Sequence, residues 1–230
     1  MHTNVNLEAA VGVLAFLGTA FVLGLAAIIV LHAIKTRRRM RARTVSLAAL
    51  TLAGCYLLLM LAFSAVSREK VLASGVEKHF CEIDCHLAYS ITNVERMKTV
   101  GLAPNEATAK GVFYVVTIRT RFDETTISRA RGDALLWPNS REVVVFDAEE
   151  NVYGVSMEGE RALQAAQGAG TPLETPLRPG ESYTTDLVFD LPANVVRPEM
   201  LMRDGDLITH FIIGHENSFW HGKTVFSLES

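Results

Sequence analysis

Two unbroken apolar runs open the chain, Val11 to Ile34 and Val45 to Val66, and behind them apolar and polar positions alternate with a period of two. The first run is 24 residues long and the second 22, with no formal charge in either. Each exceeds the roughly 20 residues that a helix needs to cross a bilayer. Between them, Lys35 to Arg43 (K-T-R-R-R-M-R-A-R) packs six cations into nine positions. Cationic loops are held on the cytoplasmic side. The pattern therefore predicts a transmembrane hairpin over 1–66, with helices at 11–34 and 45–66, a cytoplasmic loop at 35–44, and both termini outside. Gly12, Gly18 and Gly24 on the first run, and Ala48, Ala49, Ala53 and Gly54 on the second, are small enough for the helix backbones to approach closely.

Ser67 to His79 alternates Glu and Lys with apolar residues at helical spacing, so this part of the segment 67–84 is expected to continue the second helix or to form a short stalk. From Leu87 the period changes. Leu87, Tyr89 and Ile91 share one face of a half-buried strand, and Val112, Tyr114, Val116 and Ile118 repeat the pattern after a loop with Pro104 and Asn105. R-E-V-V-V-F at Arg141–Phe146 and V-Y-G-V after D-A-E-E-N predict a hairpin. Glu158 to Gln167 predicts one short helix ending at Gly168. Tyr183–Leu191, Leu207–Ile213 and Thr224–Leu228 complete about seven short strands, the signature of an antiparallel sandwich over 85–230.

Charge sharpens the division. Residues 1–66 carry six Lys or Arg against Glu8 alone, so the net −3 of the whole chain hides an outer part at −8. An acidic exterior argues against nucleic acid, whose recognition rests on neutralising phosphates. Met1 to Ala10 has no Lys or Arg, unlike the basic start of a cleaved leader, so the first helix is expected to be retained.

L-R-P-G-E-S-Y-T-T-D-L-V-F-D-L-P, Leu177 to Pro192, resembles a recurrent stretch of uncharacterised bacterial extracellular Ig-like domains, as does the order of the strand from Gly111 and the hairpin around F-D-A-E-E-N-V-Y. That resemblance implies an all-β, antiparallel Ig-like β-sandwich outside the bacterial inner (cytoplasmic) membrane, and it supplies no catalytic residue. Two N-terminal helices before a sandwich are also similar in architecture to subunit II of cytochrome oxidases. Here, however, Cys81-x-x-x-Cys85 stands at the start of the domain with His86 directly after it, so both the order and the His spacing depart from that family's copper motif.

One stretch concentrates chemistry. His79-Phe-Cys81-Glu-Ile-Asp-Cys85-His86 holds two imidazoles, two thiols and two carboxylates within eight residues. In a helical turn Cys81 and Cys85 would lie within reach of a disulfide; in an extended strand, about 13 Å apart, they would not. The expectations are a disulfide between Cys81 and Cys85 in an oxidising compartment, or a soft-metal site for copper or zinc. The metal site would use Cys81, Cys85, His79 and His86, helped by His215 and His221 from the loop G-H-E-N-S-F-W-H-G. Haem attachment is disfavoured, because Cys-x-x-x-Cys-His is one residue longer than the usual motif. Asp147, Glu149 and Glu150 resemble half of a calcium loop, but they read more simply as a hydrophilic turn.

No nucleophile triad, phosphate loop or carboxylate pair appears in the required context. The sequence points to a non-enzymatic, membrane-anchored binding or accessory subunit with no resident cofactor, working beside a membrane-protein partner or as a homo-oligomer. The alternative is a periplasmic metal-binding or electron-transfer protein built on the Cys/His cluster.

Overall fold

The computed structural model describes residues 2–82 and 85–229, and for Glu82 and Cys85 the backbone alone. The chain divides into two compact units. One is built from Glu69–Asp206 with the segments at the two chain ends, up to Asn4 and from Lys223; the other combines Val5–Arg68 with Leu207–Gly222.

In the helical unit, α1 (Ala9–Lys35) and α2 (Arg39–Val66) contain the two apolar runs. The connection is shorter than the predicted 35–44, because Arg39, Arg41 and Arg43 already belong to α2. Arg37, at a φ of 53°, makes the reversal, and the Arg38 amide donates to the Ala33 carbonyl at 2.8 Å. Both helices are long and apolar enough to cross a membrane. They expose large apolar side chains, among them Leu14, Phe21, Leu31, Leu50 and Leu58, so neither is the core helix of a packed bundle.

Leu207–Ile213, expected as a strand, forms instead a 3-10 turn over Leu207–Phe211. This segment and the two residues after it find backbone partners in the rest of the helical unit. The Phe211 carbonyl accepts from the Tyr56 hydroxyl at 2.6 Å, the Gly214 carbonyl accepts from the Asn6 amide at 2.9 Å, and Val5 bridges His215.

The other unit is a β-sandwich of two five-stranded sheets. The first has the order β1 (His2–Thr3), β3 (Lys78–Glu82), β4 (Cys85–Val100), β5 (Ala107–Asp123), β8 (Ser182–Leu191). The second runs β2 (Lys70–Leu72), β10 (Thr224–Ser227), β9 (Glu199–Asp204), β6 (Arg141–Phe146), β7 (Val152–Tyr153). The alternation read from the sequence is realised directly. Leu87, Tyr89, Ile91, Val116, Ile118 and Phe189 turn inward and meet Val145, Met200, Met202 and Phe226 of the opposite sheet.

Two features of the sandwich differ from expectation, and one strand was not anticipated. The sandwich is not wholly antiparallel, because the short edge strands β1 and β2 pair in parallel with β3 and β10. The segment 67–84 is not a separate stalk: it supplies β2 and β3, whose Leu72 and Phe80 are buried in the core. Strand β9, which follows Pro198, shows no alternation because both of its faces are largely buried.

The predicted hairpin β6–β7 forms, and its turn uses Asp147 locally. That carboxylate accepts from the amides of Glu149 and Asn151, from the Asn151 side chain and from the Tyr153 hydroxyl. The turn reading of Asp147, Glu149 and Glu150 therefore has a structural basis. The predicted short helix is α3 (Met157–Gln167), with Ser156 accepting from the Gly159 amide and Gly168 at a φ of 91° closing it. Ala162 of α3 packs on Phe113, Val115 and Val188 in a second, smaller core on the outer face of the first sheet. Gly111 is required on β5, because a Cβ there would collide with the Leu191 carbonyl.

Candidate functional site

Strand alternation divides β3 between two environments. Lys78 and Phe80 point into the sandwich, whereas His79 and Cys81 point to the outer face of the first sheet. The chain reverses between β3 and β4, pairing Glu82 with Cys85 and Cys81 with His86. On the next strand His86 pairs with Asp123. Cys81, His86 and Asp123 therefore form a row across three strands, with His79 and Arg121 one step along, on either side of Ala88. The small Ala88 leaves room for longer side chains to reach across β4.

Cys81 Sγ lies 2.9 Å from His86 Nε2. His79 Nε2 reaches Asp123 Oδ2 at 3.2 Å and Glu77 Oε2 at 3.7 Å. The two imidazoles meet edge to face, with ring centroids 6.2 Å apart. Arg121 closes the set with two hydrogen bonds to Glu77, at 2.8 and 2.7 Å, and a 3.4 Å contact with Asp123 Oδ1.

The electrostatics follow from burial and these contacts. Burial pushes the Asp123 carboxyl up, but hydrogen bonds from the Thr125 hydroxyl and amide, together with the Arg121 guanidinium, outweigh it and hold the group down to about 2. The Arg121 hydrogen bond holds Glu77 below its usual range. Burial draws the His79 imidazole below 6.5, against the upward pull of Asp123 and Glu77. His86 is lowered by burial and then by the neighbouring His79. Both rings are therefore neutral at pH 7, which suits an imidazole that accepts a proton or ligates a metal.

The arrangement sets a thiol beside a neutral imidazole, the first half of a nucleophile–base pair. The second half is missing: Asp123 engages His79, Thr125 and Arg121 rather than His86, and among the described residues His86 Nδ1 has no hydrogen-bond partner. The same row offers one sulfur and one nitrogen to a soft metal. Among the described residues no group of three or more His, Cys, Asp or Glu is placed to hold a metal ion.

Of the residues singled out in the sequence, His79, Cys81 and His86 come together. His215 and His221 belong to the helical unit. The side chain of Cys85, and with it the expected Cys81–Cys85 disulfide, lies outside the described residues. Neither a helical turn nor an extended strand is the true setting of the Cys pair, because a chain reversal separates them. Asp123, Arg121 and Glu77 were not legible as partners. The register that places Asp123 and Arg121 depends on irregularities in β4 between Ile91 and Asn93 and between Met97 and Thr99, which no local pattern announces.

No protein-family model matches the chain. No curated protein matches it either. Among solved structures, the secreted protein MPT63 from Mycobacterium tuberculosis is similar at 13% identity and a TM-score of 0.42, over 69% of this chain and 97% of that one. An uncharacterised β-sandwich protein from Clostridium difficile 630 is similar at 11% identity and 0.40, over 71% and 96%. The yjhA protein from Bacillus subtilis is similar at 12% identity and 0.39, over 68% and 98%.

Proposed function

We propose that the chain is a membrane-anchored, non-enzymatic binding or accessory subunit. Its hairpin spans a bacterial inner membrane, and its sandwich faces the extracytoplasmic side, where it meets a membrane-protein partner or a second copy of itself. The observation that carries this reading is the way the hairpin is tied in. Strand β1 precedes α1 and β2 follows α2, and both belong to the sheets of one sandwich. Both ends of the hairpin thus leave from the same domain, and the Arg-rich turn lies at the far end of two helices of 27 and 28 residues, each about 40 Å long. Removal of α1 as a leader would take β1 and Asn4 away with it, and the Asn4 side chain donates to Asp204 inside the sandwich.

The experiment joins topology to company. With the native cysteines replaced, Ala130→Cys should react with a membrane-impermeant maleimide on intact cells, while Arg38→Cys should react only after lysis. Extraction in a mild detergent should then bring a stoichiometric partner or a second copy. A lone monomer in native nanodiscs would refute the accessory role, and labelling of Arg38→Cys on intact cells would refute the topology.

The 2.9 Å contact between Cys81 and His86 favours a second reading, a periplasmic site for copper or zinc with a role in metal binding or electron transfer. It requires a third donor beyond this pair. Metal analysis of the purified protein decides it. A stoichiometric metal lost in Cys81→Ser supports the site, and a metal content unchanged by that substitution removes it.

A further inference from the structure

The excursion Leu207–Gly222 exposes more apolar surface than its place in a soluble fold would explain. Leu207 is 72% exposed and Trp220 is 81% exposed, with Ile208, Phe211 and Phe219 also open. The aromatic rings are grouped. Phe219 lies with its centroid 5.9 Å from Phe211, 6.1 Å from Trp220 and 6.2 Å from the His210 ring. Trp220 has a φ of 57°, a left-handed conformation that Gly or Asn adopts more easily than a bulky side chain. The turn itself gains nothing from an indole there.

The depth of this cluster along the helices is fixed by contacts within the helical unit. Gly12, one turn inside the start of α1, faces Ile212 and Ile213 so closely that a Cβ would lie 2.9 Å from each. Tyr56, about 15 Å along the axis before the end of α2, donates its hydroxyl to the Phe211 carbonyl. At the other end of the excursion the Gly222 amide donates to Ser67 Oγ, at the last turn of α2. The excursion therefore hangs beside the outermost turns of the two apolar helices, not beyond their ends. Trp, with an apolar body and a polar N–H, is enriched where hydrocarbon gives way to headgroups.

We infer that residues 207–222 form a lipid-binding belt, with Trp220 and Phe219 seated in the headgroup boundary of the outer leaflet. This inference rests on the membrane-spanning reading of α1 and α2. The occupant is lipid because the same helices that fix the bilayer also fix the height of the cluster within it. The belt would hold the hairpin at one depth, as interfacial aromatic anchors do.

The test uses the full chain in nanodiscs whose lipids carry bromine either high on the acyl chain, near the headgroup, or near its end. The chain has two tryptophans, so Trp137→Phe leaves Trp220 as the sole reporter. A second protein, with Trp137→Phe, Trp220→Phe and Phe21→Trp, reports on the middle of α1. The expected result is that Trp220 loses most of its emission to the shallow bromines and little to the deep ones, while Phe21→Trp shows the reverse. Quenching at Phe21→Trp without quenching at Trp220 would overturn the belt and leave the anchor standing. Quenching at neither would overturn the anchor itself. A Trp220 emission that ignores bromine and shifts to the blue as protein density rises would assign the surface to a second copy and also overturn the belt.

Discussion

On the inner face of β3, Lys78 has no exposed surface, and its ammonium donates to the carbonyls of Met202 at 2.7 Å and Thr224 at 2.9 Å across the sandwich. One and three residues further on, on the outer face, His79 and Cys81 belong to a cluster with His86, Asp123 and Arg121. A single strand thus carries ionisable residues into two settings. Inside, Lys78 lies 4.9 Å from the Phe80 ring, the Arg141 guanidinium lies 4.3 Å from the same ring, and Arg141 pairs with Asp204, which also accepts from Asn4. These contacts tie the two sheets together. Outside, the imidazoles are neutral and the thiol has a base beside it. The difference teaches that burial alone does not mark a functional residue. Side chains bound to fixed acceptors across the core speak for structure, whereas a thiol and imidazoles gathered on one face speak for chemistry.

The largest effect should come from breaking the inner face. Asp204→Ala removes the carboxylate that pairs with Arg141 inside the sandwich. Taking one partner from a buried ion pair typically costs about 3–5 kcal/mol. Chemical denaturation at pH 7 followed by sandwich fluorescence should show a loss of that order. A loss below about 1 kcal/mol would place Arg141 and Asp204 among exposed pairs of little consequence.

The outer face should answer to pH instead. His79 and His86 both have lowered proton affinity in the fold. Between their folded values and 6.5 the unfolded chain binds more protons than the folded one, so stability is fully present above 6.5 and drains away as the pH falls. Each ring can contribute at most about 1.4 kcal/mol per pH unit. Asp123, held down to about 2, adds stability above its ordinary 3.8 that is lost only in stronger acid. Melting curves from pH 7.5 to 5 should therefore slope downward on acidification, and the double substitution His79→Gln and His86→Gln should flatten that slope. A slope unchanged by the pair would mean that the acid sensitivity lies elsewhere.

These two faces were unequally legible in the sequence. The alternation of Leu87, Tyr89 and Ile91 fixed which residues point inward, because a period of two admits one assignment. Lys78 gave no such signal: a lysine before an apolar residue reads as solvated until the carbonyls of β9 and β10 are seen opposite it. The Cys/His stretch was visible as a concentration of donors, but Asp123 lies 37 residues beyond His86 and meets it only through a long hairpin with two irregularities. The run Leu207–Ile213 has the composition of a strand and is none: it forms a 3-10 turn, with the Phe211 carbonyl bound to the Tyr56 hydroxyl and the adjoining Gly214 carbonyl to the Asn6 amide. Local pattern specifies faces; partners drawn from distant segments depend on topology.

The smallest effect separates the two faces most sharply. Cys81→Ser keeps a hydrogen-bonding group within reach of His86 and changes the volume little, and substitutions of that kind away from the packed core usually shift stability by less than about 1 kcal/mol. If the outer row serves chemistry and not the fold, denaturation midpoints of Cys81→Ser at pH 7.5 should coincide with the wild type, while reactivity toward a small alkylating reagent or a soft metal at the Cys81 position disappears. A destabilisation as large as that expected for Asp204→Ala would show that the thiol and imidazole lock β3 to β4 much as Lys78 locks the sheets. The contrast between the two faces of the strand would then dissolve.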